Sequence, residues 1–203
     1  MTRISSVSVI GLGKLGACIA AAMSAKGMRV VGVDTDPSNV ELVNQGISPI
    51  FEPGLDQVMA AGRDQFSATT DLQEAVLNTD ASFIVVPTPS GSDGRFSIEY
   101  VQAAAKNIGS ALRGKSQWHL IALISTVMPG DTESGVIPII ETASGKRCGV
   151  DFGVCYSPEF IALGTVVRDF LNPDFVLLGE SDPVAGEALA SIYASVCDGS
   201  PPI

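Results

Sequence analysis

The segment Val7-Ser8-Val9-Ile10-Gly11-Leu12-Gly13-Lys14-Leu15-Gly16, with an apolar run that closes at Asp34 after it, constrains the fold of this chain more than any other feature. It reads as strand, glycine-rich turn, helix and strand, the opening of a dinucleotide-binding unit. Gly11 lets the chain turn sharply out of the strand, Gly13 lets backbone approach a pyrophosphate, and Gly16 brings the helix against the sheet. The pyrophosphate charge then sits at the positive end of that helix. Asp34 follows Gly11 by 23 residues (11 to 34), near the roughly 20-residue offset of a carboxylate that grips the adenine ribose hydroxyls. A carboxylate there repels the extra phosphate of NADP, so the expected cofactor is NAD. Its candidate ligands are Gly11, Leu12, Gly13, Lys14, Leu15, Gly16 and Asp34.

The pattern beyond the turn alternates strand and helix, which predicts a doubly wound, mostly parallel α/β sheet of the Rossmann type. Leu15, Ile19, Ala22 and Met23 fall on one helical stripe, and Gly27 is placed to end that helix. Asp36-Pro37 predicts a helix start and Gly46 its stop. A short helix over 55–61 and a strand over 66–69 follow, then a helix over 72–77 capped by Asp71. Ser82 to Pro87 reads as a buried strand, and the glycine-rich stretch from Ser90 to Arg95 as a flexible loop. Ser97 opens a helix with a stripe of Ile98, Val101, Ala105, Ile108 and Leu112. A strand over 120–124, a helix around 131–143 bent by Gly135 and Pro138, and strands at 153–156 and 175–178 follow. Asp182-Pro183 starts a last helix with Leu189, Ile192, Tyr193 and Val196 on one face.

With 203 residues, 46% hydrophobic and 17% charged, the chain has room for one large domain, taken as residues 1–203. A net charge of −10 argues against a nucleic-acid partner. No run approaches the roughly 18 apolar residues of a membrane span, and no signal peptide is read at the start. The four cysteines, Cys18, Cys148, Cys155 and Cys197, have no metal-ligand spacing and are expected to be buried thiols in a reducing cytoplasm. No metal site is expected, and the one histidine, His119, is read as structural.

In an open parallel sheet, ligands bind beyond the carboxyl ends of the strands. That rule gathers the glycine turn, Asp34, Thr88-Pro89, Ser125-Thr126 and Ser157-Pro158-Glu159 on one rim. Each polar pair also has a plainer reading. Thr88-Pro89 can simply end a strand, Ser125-Thr126 can cap the next helix, and Glu159 can be a solvated loop carboxylate.

Together with Asn44-Gln-Gly-Ile-Ser-Pro-Ile-Phe-Glu52-Pro-Gly54, Val86-Pro-Thr88-Pro89, Ser125-Thr126-Val-Met-Pro-Gly130, Ser157-Pro158-Glu159-Phe160 and Asn172-Pro173-Asp174, the turn resembles the N-terminal half of the UDP-glucose/GDP-mannose dehydrogenase family. The resemblance implies a nucleotide-sugar 6-dehydrogenase, which oxidises a C6 alcohol to a carboxylate in two NAD-dependent hydride transfers. It makes Thr126 the strand-end threonine that hydrogen-bonds a water or the reacting oxygen. Glu159 becomes the glutamate that, with water, does acid/base work in hydrolysing a thioester. Phe160, Ile161, Ala162 and Leu163 would line the sugar pocket, and Thr88, Pro89, Ser125 and Thr126 would lie along the cofactor. The resemblance also implies a cytoplasmic, homodimeric parent whose nucleotide-sugar substrate is shared with a C-terminal domain outside this chain.

Two departures narrow that expectation. Many members carry a second glutamate four residues after the one matched by Glu159; Leu163 stands there, which bears on which sugar is oxidised. The family's catalytic cysteine lies in a Gly-x-Gly-Gly-x-Cys setting that none of the four cysteines shares. A covalent step needs a thiolate beside the substrate carbon, so this chain alone is expected to bind NAD without completing turnover. The alternatives are a non-enzymatic NAD-sensing regulatory module and a 6-phosphogluconate or β-hydroxyacid dehydrogenase domain. An interrupted fold would also leave apolar surface exposed near Tyr193 and Ile203.

Overall fold

The computed structural model describes residues 4–91 and 94–203. Its centre is a seven-stranded sheet in the order β3-β2-β1-β4-β5-β6-β7. The strands are β1 (Ser6–Ile10), β2 (Arg29–Val33), β3 (Phe66–Thr69), β4 (Ala81–Ile84), β5 (His119–Leu123), β6 (Phe152–Tyr156) and β7 (Gly179–Glu180). All neighbours pair in parallel except β6 and β7, which run antiparallel. The chain therefore winds outward from β1 in one direction and, from β4, in the other. Ligand crevices form at that reversal, between the carboxyl ends of β1 and β4.

Among the described residues, eight α-helices cover the sheet: α1 (Lys14–Ala25), α2 (Pro37–Gln45), α3 (Leu55–Ala61), α4 (Leu72–Leu77), α5 (Glu99–Leu112), α6 (Ile137–Ser144), α7 (Val166–Leu171) and α8 (Pro183–Val196). One core holds residues of α1, α3, α7 and α8 against Val7, Val9, Phe83, Leu120 and Cys155. The other holds α4, α5 and α6 against Ile10, Ile84, Ile121, Leu123 and Val154. Alternate strand residues thus serve opposite faces, as the period of two requires.

The local stop and start signals act as read. The carboxylates of Asp36, Asp71 and Asp182 accept from Ser38, Glu74 and Ala185 N–H groups and cap α2, α4 and α8. Gly27 ends α1 at φ +86°, with Met28 N–H donating to Met23 O at 3.2 Å, a Schellman closure.

Five expectations are corrected. The α1 stripe is too narrow, since Gly16 to Ser24 are all buried; α3 and α7 pack on the side that a surface helix would show to water. α5 begins at Glu99 rather than Ser97, whose N–H instead donates to Pro89 O at 2.8 Å. The segment over 175–178 is not a strand; Val176 N–H donates to Pro202 O at 2.8 Å, and the two-residue β7 follows it. Tyr193 itself is only 2% exposed, and the apolar surface expected near it belongs instead to Phe160, Phe175 and Leu177 of the same cleft; Ile203 is exposed as expected. Among the cysteines, Cys18 and Cys155 are buried, but Cys148 and Cys197 are half-buried.

The bend expected near Pro138 is a single π turn, Thr132–Val136, that leads into α6. In the loop expected from Ser90 to Arg95, Ser92 and Asp93 lie outside the described residues. Its described ends are held by an antiparallel bridge between Ser90 and Phe96.

His119 lies at the amino edge of the sheet, away from the rim. Burial drives its imidazole down to about 3, so it is neutral at physiological pH. Lys115 donates to Val76 O, to Thr79 O and to His119 Nδ1. A protonated amine cannot accept, so Nδ1 accepts and Nε2–H donates to Ser82 Oγ at 2.8 Å. Ser82 and Ser8 continue the chain at 2.7 Å. This polar row ties β1, β4 and β5 together inside the core.

Candidate functional site

The rim begins at the glycine turn. Gly11 sits at φ +100°, where a Cβ would stand 2.3 Å from Val85 O. A Cβ at Gly16 would stand 1.8 Å from Gly11 O. Gly13 differs: a Cβ there would meet no protein atom within 4 Å. Two of the three glycines therefore let backbone pack on backbone, and the third faces open space.

Gly13 is the N-cap of α1, and no side chain caps that end, which leaves backbone N–H groups for a ligand. The Asp34 carboxylate is oriented by two of its neighbours. Leu12 N–H donates to Oδ2 at 2.8 Å and Asp36 N–H to Oδ1 at 2.9 Å. An anion-ready helix end, open space above Gly13 and a fixed carboxylate one strand away fit a pyrophosphate and a ribose of NAD. Within this run, Leu12 is fully buried and Leu15 packs against the core. Their side chains anchor the turn, while Lys14 is exposed.

At the ends of β4 and β5 the expected residues separate. Thr88 is half-buried, while Pro89 and Thr126 are exposed. Ser125 is buried, with Oγ accepting from Val86 N–H at 2.9 Å and donating to Val86 O at 2.7 Å. It clips the two strand ends together instead of capping the helix that starts seven residues later at Thr132. Replacing Ser125 by alanine leaves the half-buried Val86 N–H without this acceptor and is expected to destabilise the chain by about 1 kcal/mol in urea denaturation.

Glu52 is buried, and its Oε1 accepts from Val166 N–H, the first residue of α7, at 3.0 Å. It joins the 47–54 loop to the segment that carries Phe160 to Leu163. In that segment Phe160, Ala162 and Leu163 are exposed and Ile161 is half-buried. The Phe160 ring lies 5.0 Å from that of Phe175.

At the end of β6, Ser157 N–H donates to Leu123 O at 2.9 Å and aims the next two residues into a cleft. This cleft, of 370 Å³, is lined by Glu159, Phe160, Arg168, Asn172, Phe175 and Tyr193 among others. Tyr193 Oη donates to Glu159 Oε1 at 2.7 Å and lies 3.0 Å from Ser157 Oγ. Burial pushes the Glu159 carboxyl up to about 7, against the pull of the Tyr193 hydrogen bond. A carboxyl poised there can both give and take a proton near neutral pH. Glu159 is half-buried and hydrogen-bonded to Tyr193, which differs from the plainer reading of a freely solvated loop carboxylate. Sequence reasoning missed the part of Tyr193; its single signal was a hydroxylated ring in an otherwise aliphatic stripe.

Among the described residues, no cluster of three or more His, Cys, Asp or Glu side chains could hold a metal ion. Nor is any helix among them long and apolar enough to cross a membrane.

This architecture has close relatives. GDP-mannose 6-dehydrogenase from Pseudomonas aeruginosa is 44% identical over 189 residues, covering 92% of this chain and 43% of that protein. UDP-glucose 6-dehydrogenase from Haloferax volcanii is 42% identical over 201 residues, covering 97% of this chain and 46% of that protein. The crystal structure of a ternary complex of the Pseudomonas aeruginosa GDP-mannose dehydrogenase superposes with a TM-score of 0.91 at 43% identity, over 95% of this chain and 44% of that one. The chain thus spans less than half the length of these relatives. Residues 5–197 match the NAD binding domain of the UDP-glucose/GDP-mannose dehydrogenase family, which sets aside the sensing-module and β-hydroxyacid dehydrogenase alternatives. The chain belongs to that family, and it is the family's NAD-binding domain.

Proposed function

We propose that this domain serves a parent enzyme that oxidises the C6 alcohol of a UDP- or GDP-sugar to a uronic acid. The observation that carries the reading is Glu159, a half-buried glutamate held by Tyr193 in the cleft at the end of β6, on the same strand-end rim as the glycine turn and Asp34. NAD supplies the hydride acceptor for each oxidation step. The residues Gly11 to Gly16 bind its pyrophosphate through backbone N–H groups, and Asp34 takes the adenine ribose. Thr88, Pro89 and Ser125 border the cofactor on the other side of the crevice. Thr126 is exposed at the end of β5, where its hydroxyl holds a water or the reacting oxygen. Glu159 takes a proton from the water that hydrolyses the acylated enzyme. Phe160, Ile161, Ala162 and Leu163 form the edge along which the sugar lies.

Residues 1–203 form one domain, and the nucleophilic cysteine and the sugar-nucleotide domain come from the rest of the parent. The parent is a cytoplasmic homodimer; the four free cysteines of this chain suit a reducing compartment. The test is turnover of the full-length parent with UDP-glucose and GDP-mannose. Two NADH per sugar with one substrate is the expected result, and Glu159→Gln should lower kcat by about 10²–10⁴-fold. No NADH with any UDP- or GDP-sugar would remove the reading.

A further inference from the structure

The cleft at the end of β6 contains a directed row of hydroxyls that the proposed reaction does not yet use. A phenol has one proton, and Tyr193 gives it to Glu159 Oε1 at 2.7 Å. The 3.0 Å contact between Tyr193 and Ser157 must then run the other way, with Ser157 Oγ–H donating to Tyr193 Oη. Both donors are buried, at 1% exposed for Ser157 and 2% for Tyr193. Water therefore does not compete for either bond, and each strengthens the next. Because Oε1 is committed as an acceptor, a proton on this carboxyl has one place left, Oε2.

We infer that Tyr193 is a positioning residue, which holds Oε1 of Glu159 and reserves Oε2 for proton exchange with the cleft. The inference rests on the role proposed above for Glu159. Three elements meet here: the β6 end supplies Ser157 and Glu159, α8 supplies Tyr193, and α7 with the following turn completes the cleft. The charged or titratable neighbours are Arg168 and Asp169 of α7, Asp174 beyond it, and Cys197 just past α8. Glu159 and Cys197 both raise the phenol, whose principal upward push is burial. Tyr193 thus keeps its proton across the working pH range and, toward Glu159, acts only as a donor.

The test is a carbon-13 NMR titration of Glu159 in the 203-residue chain, assigned with Glu159→Gln, in wild type and Tyr193→Phe. The phenyl ring preserves packing against Phe170, 6.1 Å away, so the fold is retained. Loss of a hydrogen bond to the ionised form is expected to raise the Glu159 midpoint by about one to two pH units. Ser157→Ala, which leaves the phenol in place, should raise it by less. In the full-length parent, Tyr193→Phe should move the acid limb of the kcat profile upward by the same amount, with KM unchanged. An unmoved Glu159 midpoint in Tyr193→Phe would show that Tyr193 is packing alone and overturn the inference. A midpoint that moves while the kcat profile stays in place would overturn it differently, by removing the proton-transfer role of Glu159 itself.

Discussion

Gly16→Ala is expected to unfold the nucleotide turn, lowering stability by about 3 kcal/mol or more and abolishing NAD binding. A methyl at that position would lie 1.8 Å from Gly11 O and 3.0 Å from Gly11 C. Backbone cannot yield as a flexible side chain can. α1 would have to move away from β1 and β4, and it is buried on all sides between the sheet, α3 and α7. Gly13→Ala provides the contrast. Its methyl meets no protein atom within 4 Å, so denaturation should change by no more than about 1 kcal/mol. NAD affinity should nevertheless fall, because the methyl occupies the space where pyrophosphate must approach. Urea titration with parallel NAD titration of the two variants separates these effects. Equal loss of stability in both would contradict the open space at Gly13, and an unchanged NAD affinity in Gly13→Ala would show that this space has no bearing on ligand approach.

The second large effect concerns pH. Glu159 titrates near 7 in the folded chain, above the 4.5 of an ordinary glutamate, because burial disfavours its charge. The folded state thus holds this proton more tightly than the unfolded state. Between about pH 4.5 and 7 unfolding releases it, and stability falls as pH rises through that window. The group's contribution is fully present below the lower limit and lost above the upper one. Glu159→Gln cannot ionise, so it should escape the loss. Relative to wild type, the variant is expected to gain about 2–3 kcal/mol between pH 4.5 and 8, read from urea midpoints at the two pH values. Parallel pH dependences in the two proteins would mean that Glu159 is hydrated and titrates as a surface carboxyl.

The elements legible in sequence are those whose causes are local. Asp36, Asp71 and Asp182 lie within three residues of the N–H groups they cap, and Gly27 and Gly46 provide the left-handed turn that ends a helix. What escaped reading depends on distant partners. α7 is six residues long, and its first N–H is satisfied by Glu52, which lies 114 residues earlier. The apolar run over 175–178 has strand composition, yet Val176 pairs with Pro202, and Phe175 and Leu177 face the cleft rather than a core. The sequence puts Tyr193 on one face of α8 with Leu189, Ile192 and Val196, and the fold buries that face. The partners of the Tyr193 hydroxyl, 34 and 36 residues away, come to it only through the packing of α8 on β6. Ser125 shows the converse: a hydroxyl at a strand end suits a ligand equally well, and only the geometry reveals that its proton is already given to Val86.

The most direct measurement is a calorimetric titration of the 203-residue chain with NAD and with NADP, in wild type and in Asp34→Ala. An autonomous NAD-binding domain predicts saturable binding of NAD, weaker binding of NADP, and loss of that preference when the carboxylate is removed. Equal affinity for the two cofactors in wild type, or no saturable binding of either, would contradict the assignment of the glycine turn and Asp34 as the cofactor site.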